Sequence, residues 1–375
     1  MGYLTYILNG YNSIGVIIAL LCWLVLLLLA NPVKTYNFPK SNNFSNRVGV
    51  GFVFFSSVCI LGLHRWDSYH MIDWVFSSTE HMEPLQEWIL VTLSNGNLFI
   101  YRIIIFGGSS FLLFYIAKRL KIYNRNFLLV CTVFLLDSYF CEMRGTFGHM
   151  VLTLGFVLLV EKNTSITNKI FGLLLISLSF FLHRSIFICI IFVILSLFNF
   201  SKKRIIILSW VLFPLMVIIV NRYFSNIVQM FSAFDLGDMG ISETVETYGE
   251  SDLSFGQYSM IGNIVRVICT GFYYAVWLYI TITICLKRVY VENVYVYLFR
   301  LYYICMYIGL LFSFTEVTDW MSRRIMVMAW YPMPFLITRL WCDEVKASTW
   351  TKIILIWGII GGALSMLMRY SGWSA

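Results

Sequence analysis

The sequence predicts an all-α, polytopic membrane protein: a single integral membrane domain over residues 1–375 with about twelve transmembrane helices. The chain is 59% hydrophobic and only 12% charged, whereas a soluble domain carries roughly twice that charged fraction. Apolar runs long enough to cross a bilayer recur along the whole chain. Between these runs, no segment is long enough to fold as a soluble domain.

The predicted spans follow the apolar runs, with short polar links between them. They cover residues 12–30, 48–64, 98–117, 127–141, 145–160, 168–182, 185–200, 205–223, 263–286, 297–315, 323–341 and 351–369. The first run lacks a basic segment before it and a small-residue cleavage site after it, which predicts a retained span and not a signal peptide. Most of the nine cysteines lie inside apolar runs without metal-ligand spacing, so no metal site is expected.

Lysine is confined to the links that follow odd-numbered spans. All eleven lysines lie there: Lys34, Lys40, Lys118, Lys121, Lys162, Lys169, Lys202, Lys203, Lys287, Lys346 and Lys352. The positive-inside rule makes this side cytoplasmic. The net charge of +8 therefore reflects topology, and no nucleic-acid partner is expected.

The cations predicted to face outward are exclusively arginine. They are Arg65, Arg102, Arg144, Arg184, Arg222, Arg266, Arg323, Arg324 and Arg369. A guanidinium binds phosphate with two parallel hydrogen bonds and keeps its charge when buried. The set therefore indicates a site for a phosphorylated, membrane-held ligand at the outer leaflet. The alternative is that each arginine reaches the interface alone or pairs with a carboxylate.

A histidine and an arginine interrupt the apolar run SFFLHRSIFI (179–188). A charged group at the bilayer centre costs about 3 kcal/mol on insertion scales. The chain leaves and re-enters the basic side between Lys169 and Lys202, where two full crossings need roughly 40 residues and about 30 are present. His183 and Arg184 are therefore predicted at the apex of a short hairpin near the outer interface, at the floor of the outward site.

Two outer segments are long, at 64–97 and 225–262. In the first, Pro84 stands where a first helical turn begins, and the apolar residues after it predict an amphipathic helix in the interface. The second is acidic and lacks lysine and arginine. It is either a lid over the site or a solvated loop.

Several short motifs follow one another in order: RWDSYH (65–70), EPLQEWIL (83–90), CEMRGTFGHMVLTLGFVLL (141–159) and FLHRSIF (181–187). Their order and predicted topology resemble the EpsG-like branch of the Wzy polysaccharide polymerases. SRRIMVMAWYPMPFLI (322–337) resembles the late arginine-led span of that family.

The resemblance implies a GT-C-like membrane glycosyltransferase that polymerises undecaprenyl-diphosphate-linked oligosaccharide repeat units. It implies a place in the bacterial inner membrane with the active site facing the periplasm. The implied partners are the lipid-linked oligosaccharide and membrane lipids, with a chain-length regulator protein as a further candidate. No cofactor is expected.

The chemistry of such a transfer assigns roles to individual residues. Arginines stabilise a departing diphosphate, and the candidates are Arg144, Arg184, Arg323, Arg324, Arg222 and Arg266. His183 is the leading candidate for the base, because imidazole exchanges a proton near neutral pH, with Asp67 and Glu142 as alternatives. The alternative interpretation is that His183 is structural and caps carbonyl groups at a helix break. Asp67, Tyr69 and Glu83 are expected to bind sugar hydroxyls or to anchor their loop to an arginine.

Three other activities remain open from sequence. A ligase uses the same donor with a different lipid-linked acceptor. A lipid-oligosaccharide flippase also has about twelve spans, but such transporters are built from internal repeats, and the two halves of this chain show no convincing similarity. A membrane acyltransferase needs a reactive histidine near the cytoplasm, and all five histidines are predicted outside.

Overall fold

The fold is entirely helical in the part of the chain that the structure describes. The computed structural model describes residues 13–30, 46–61, 83–135, 143–162, 164–183, 186–198, 203–232, 260–287, 293–313, 319–343 and 349–371, and no strand occurs among them. The all-α prediction is therefore confirmed for these residues. Asp67, Tyr69, Glu142 and Arg184 lie outside them, as does most of both long outer segments.

The helices are numbered in chain order. They are α1 (Ser13–Ala30), α2 (Asn46–Leu61), α3 (Pro84–Trp88, continued by a π-helical turn at Ile89–Leu93), α4 (Leu98–Arg119, with a π-helical turn at Ile103–Gly107), α5 (Arg125–Leu135), α6 (Met143–Val160), α7 (Ile166–Leu182), α8 (Ile186–Leu197), α9 (Lys203–Val211), α10 (Phe213–Ser232), α11 (Met260–Lys287), α12 (Asn293–Ser313), α13 (Asp319–Trp330), α14 (Met333–Asp343) and α15 (Thr349–Ser371). α10 continues to Ser232, which lies inside the segment predicted as an acidic loop.

Three helical segments among the described residues are long and apolar enough to cross a membrane: Leu98–Arg119, Val294–Ser313 and Ile325–Cys342. α9 and α10 pass the same test together but are bent by 58°. The remaining predicted spans coincide in position with shorter apolar helices. The structure thus supports a membrane protein, and the count of about twelve crossings stays a prediction.

Two of the predicted spans are interrupted by proline. α9 ends just before Leu212 and Pro214, and α13 ends just before Tyr331 and Pro332. Proline has no N–H for the carbonyl four residues earlier, and its ring collides with that carbonyl. The predicted span 205–223 therefore consists of two helices bent by 58°, whereas the predicted span 323–341 contains a turn inside Ile325–Cys342, a segment that is long and apolar enough to cross a membrane. The second break matters for the site, because Tyr331 lies in it.

Exposed apolar side chains form continuous faces on several helices. On α7 they recur at helical spacing, at Ile170, Leu174, Leu178 and Phe181. The opposite face of α7, which includes Ile176, is buried. A water-soluble protein rarely exposes an apolar area of this extent, so these faces suit contact with lipid tails.

α6 and α7 form an antiparallel pair joined by a short link. At their closest approach, an added Cβ on Gly172 would lie 2.7 Å from the carbonyl oxygen of Gly155, and the reverse distance is also 2.7 Å. Small residues at helix interfaces allow such close approach in membranes. The glycine pair therefore sets the spacing between the two helices that carry His149 and His183.

Replacing Gly172 with alanine is expected to separate α6 from α7, because the new methyl group meets backbone that cannot rotate away. Overpacking of this kind costs about 1–3 kcal/mol, and a fall in Tm of the detergent-solubilised protein measures it. Gly361→Ala is the matched control, since nothing lies within 4 Å of its added Cβ. Equal Tm values for the two variants would contradict the assigned contact.

The two ends of the α6–α7 pair carry different cations. Arg144 is in the first turn of α6, and α7 returns to the same end at His183. The opposite end, about 27 Å away for an 18-residue helix, carries the ion pair between Arg119 Nη2 and Glu161 Oε2 at 2.6 Å. Lys118, at the end of α4, lies at this second end beside Arg119. The segregation of lysine from His183 thus holds along this hairpin.

Candidate functional site

The candidate site is built around the helix break at His183. α7 ends there because His183 adopts an extended conformation (φ −161°, ψ 122°). Its N–H still donates to the Ser179 carbonyl at 3.2 Å, and its own carbonyl accepts from the N–H of Ile186 at 3.0 Å. An added Cβ on Gly148 would lie 2.5 Å from Ile186 Cδ1. A glycine in α6 therefore allows that helix to pack directly against the break.

Glu83 is the hydrogen-bonding partner of His183. Its Oε1 lies 3.0 Å from His183 Nδ1, and the side chains come from positions 100 residues apart. Glu83 occupies the position before α3 in an extended conformation, and Pro84 begins that helix. Glu83 is 4% exposed and His183 8% exposed. A buried carboxylate and a buried imidazole are thus paired at the end of the molecule that carries Arg144.

Gln86, one helical turn after Glu83, also contacts the end of α7. Its Nε2 donates to the carbonyl oxygen of Leu182 at 3.0 Å, and its Oε1 accepts a short hydrogen bond from the hydroxyl of Tyr101. Gln86 is fully buried. The Leu182 carbonyl belongs to the last turn of α7, where backbone acceptors lack helical partners. Gln86 therefore satisfies a backbone group that the break leaves over.

His149 of α6 is the aromatic neighbour of the His183 ring. Its ring stacks on Tyr331 with centroids 4.5 Å apart and meets the His183 ring edge-on at 6.1 Å. Its Nδ1 lies 3.7 Å from Cys189 Sγ, and the Tyr331 hydroxyl is 3.3 Å from Thr146 Oγ1. His149 thus connects the His183 ring to Tyr331 and Cys189. Together, these residues form the His183 cluster: Glu83, Gln86, Tyr101, His149, His183 and Tyr331.

One nitrogen of the cluster remains available. His183 Nε2 is buried and has no hydrogen-bond partner among the described residues. A buried polar atom without a partner costs about 1–3 kcal/mol. Such an atom is therefore a position where a ligand group would gain a hydrogen bond.

The candidate arginines lie on several helices. Arg144 is in the first turn of α6, five residues before His149. Arg323 and Arg324 are in α13, two turns before Tyr331, and Arg266 is in α11. Arg222 is exposed on α10. Convergence of these arginines on one anion stays a prediction.

Arg102 is an arginine that the role assignment from sequence passed over. It follows Tyr101 in α4 and is buried, with its Cζ 5.9 Å from the centroid of the Phe106 ring. Its chain neighbour Tyr101 belongs to the His183 cluster. A buried guanidinium group therefore belongs to the residue that directly follows a member of the cluster in the chain.

Sequence reasoning found two members of the cluster and missed four. His183 and Glu83 were predicted; Glu83 was expected to bind sugar or an arginine, and that role stays a prediction beside its observed contact with His183. Among the described residues, the hydrogen bond of the His183 side chain goes to this carboxylate. Gln86 has a sequence signal, since it lies one helical turn after Glu83. Tyr101, His149 and Tyr331 have no comparable signal.

No group of three or more histidine, cysteine, aspartate or glutamate side chains with metal-binding geometry occurs in the described part of the chain. Comparison of the chain with known protein families, with curated proteins and with solved structures finds no match.

Proposed function

We propose that the protein is a membrane glycosyltransferase that polymerises oligosaccharide repeat units carried on undecaprenyl diphosphate. The reaction takes place at the outer face of a bacterial inner membrane. The observation that carries the proposal is the buried Glu83–His183 pair, whose Nε2 has no partner among the described residues. The pair lies at the Arg144 end of the α6–α7 hairpin, away from the lysines.

The reaction needs a base and a stabilised leaving group. The hydroxyl oxygen of one repeat unit attacks the anomeric carbon of the growing chain, and its proton passes to His183 Nε2. The bond between the anomeric carbon and the diphosphate oxygen breaks, and its electron pair stays on the departing lipid diphosphate. Fixed guanidinium groups stabilise that negative charge without exchanging a proton.

Arg144 is the first candidate for this stabilising role. The backbone of α6 carries it at the same end of the helix as His149, which contacts the His183 ring. Arg323 and Arg324 belong to the helix that leads to Tyr331. Two helices that carry candidate arginines, α6 and α13, are thus also the helices that carry or directly precede residues of the His183 cluster.

A purified sample with a single substrate tests the function. In nanodiscs containing only the undecaprenyl-diphosphate-linked repeat unit, we expect a ladder of products that differ by one repeat. Product that forms only after a second lipid acceptor is added would identify a ligase instead. Movement of the substrate across a bilayer without any new glycosidic bond would identify a flippase, and either result would overturn the polymerase proposal.

A further inference from the structure

We infer that Glu83 and Gln86 are positioning residues, which hold the His183 ring in the tautomer that leaves Nε2 free to accept a proton. This inference rests on the proposed function and assigns Glu83 a role other than sugar binding. The juxtaposition that carries it lies at the start of α3: Glu83, the residue before the helix, contacts the His183 ring, and Gln86 in the helix bonds to the Leu182 carbonyl.

The tautomer follows from the partner of Nδ1. An ionised carboxylate only accepts hydrogen bonds, and a neutral imidazole carries one proton on one of its two nitrogens. At 3.0 Å from Glu83 Oε1, Nδ1 therefore carries the proton. The lone pair is then on Nε2, the nitrogen that lacks a partner among the described residues.

The position of the ring follows from the second contact. Gln86 donates to the Leu182 carbonyl and accepts from Tyr101, so α3, α4 and the end of α7 are joined through one buried amide. Pro84 starts α3 with a fixed φ angle. The carboxylate is thus held by a rigid turn, and the backbone next to the ring is held by the same turn.

The carboxylate has a second consequence in the reaction. When Nε2 accepts a proton, the ring becomes a cation, and the adjacent carboxylate stabilises that cation as in other carboxylate–histidine pairs. The His149 ring of α6 meets the His183 ring edge-on, and Tyr331 stacks on the other ring, that of His149. Among the described residues, Glu83 is thus the carboxylate that lies against the His183 ring.

Nitrogen NMR of the intact protein in nanodiscs tests the tautomer without relying on activity. In ¹⁵N-histidine-labelled protein, the His183 signals are those that disappear in His183→Gln. We expect the wild-type protein to show a protonated Nδ1 and an unprotonated Nε2. A wild-type spectrum with the proton on Nε2 would overturn the inference outright.

Glu83→Gln tests the cause, because its amide both donates and accepts and so no longer selects one tautomer. The variant keeps the size of the side chain and is expected to show both tautomers. Its kcat for polymerisation is expected to fall about 10²-fold with little change in KM, because part of the rings carry their proton on Nε2 and the imidazolium that forms in the reaction loses its carboxylate, whereas substrate binding is kept. Glu87→Gln is the matched control on the same short helix, and we expect wild-type values for it.

The outcomes separate this inference from the proposed function. A single Nδ1–H tautomer in Glu83→Gln shows that Glu83 does not select it, and the inference fails whatever the activity. The wild-type protein can show the Nδ1–H tautomer, depend on Glu83 for it, and yet make no polymer. That result would support the positioning role and contradict the proposed polymerase function. Loss of polymer in Glu83→Gln together with mixed tautomers supports both.

Discussion

Replacing His183 with alanine is expected to lower kcat for polymerisation by about 10²- to 10⁴-fold, the range that a positioned general base contributes. The cause is the loss of Nε2, the buried nitrogen that has no partner among the described residues. Binding of the lipid-linked substrate is expected to persist, because the proposed function assigns diphosphate binding to the arginines and not to His183. Single-turnover assays with a labelled repeat unit measure the rate, and equilibrium binding in nanodiscs measures the affinity.

A second variant, His183→Gln, separates loss of catalysis from loss of folding. In His183→Ala the Glu83 carboxylate is left buried without its ring partner, and that alone is destabilising. His183→Gln retains an N–H for Glu83 but has no basic nitrogen. It is expected to fold with a Tm close to wild type and to be equally inactive. Near-normal polymer yield from a stable His183→Gln protein would show that His183 is not the base.

The helical fold was predictable because bilayer-length apolar runs leave few alternatives. Backbone groups in lipid are satisfied only within helices or closed barrels, and the runs were long and uninterrupted enough to indicate helices. The interruptions were less predictable. Pro214 and Pro332 were visible in the sequence, but whether a proline bends a span or ends it depends on the neighbours that satisfy the freed carbonyl groups.

The site was predictable only in part, because its contacts join distant parts of the chain. His183 was identified by the cost of a polar residue in an apolar run, which is a local signal. The pairing with Glu83 across 100 residues is a tertiary contact without a local signature. His149 and Tyr331 were missed for the same reason: an aromatic or histidine side chain inside a helix is as compatible with ordinary packing as with a site.

Three glycines explain how His149 and His183 come into contact. Gly148 lets α6 approach the 183–186 break, and Gly155 and Gly172 let α6 approach α7. Each of these contacts would be obstructed by a Cβ. His149 therefore reaches the His183 ring only because three glycines bring the two helices close together.

Replacing Arg144 with lysine is expected to reduce polymerisation about 10²-fold, although the charge is retained. A guanidinium binds a diphosphate through two parallel hydrogen bonds, and an ammonium presents a compact, strongly hydrated charge without that geometry. Removal of one fixed donor to a developing anion typically costs roughly 10²–10³-fold in rate. The expected loss lies mainly in kcat, because negative charge on the leaving group increases toward the transition state. Polymer length and yield, with protein amount measured in parallel, give the result.

Arg204→Lys is the matched control for this prediction. Arg204 is exposed in the first turn of α9, beside Lys203, so the same substitution there replaces one solvated cation by another. We expect no change in rate, since exposed charges contribute little through geometry. Equal activity of Arg144→Lys, Arg204→Lys and the wild-type protein would show that charge alone is sufficient at position 144. The arginines at this end would then reach the interface singly or pair with carboxylates, and the proposed diphosphate site would lose its main chemical support.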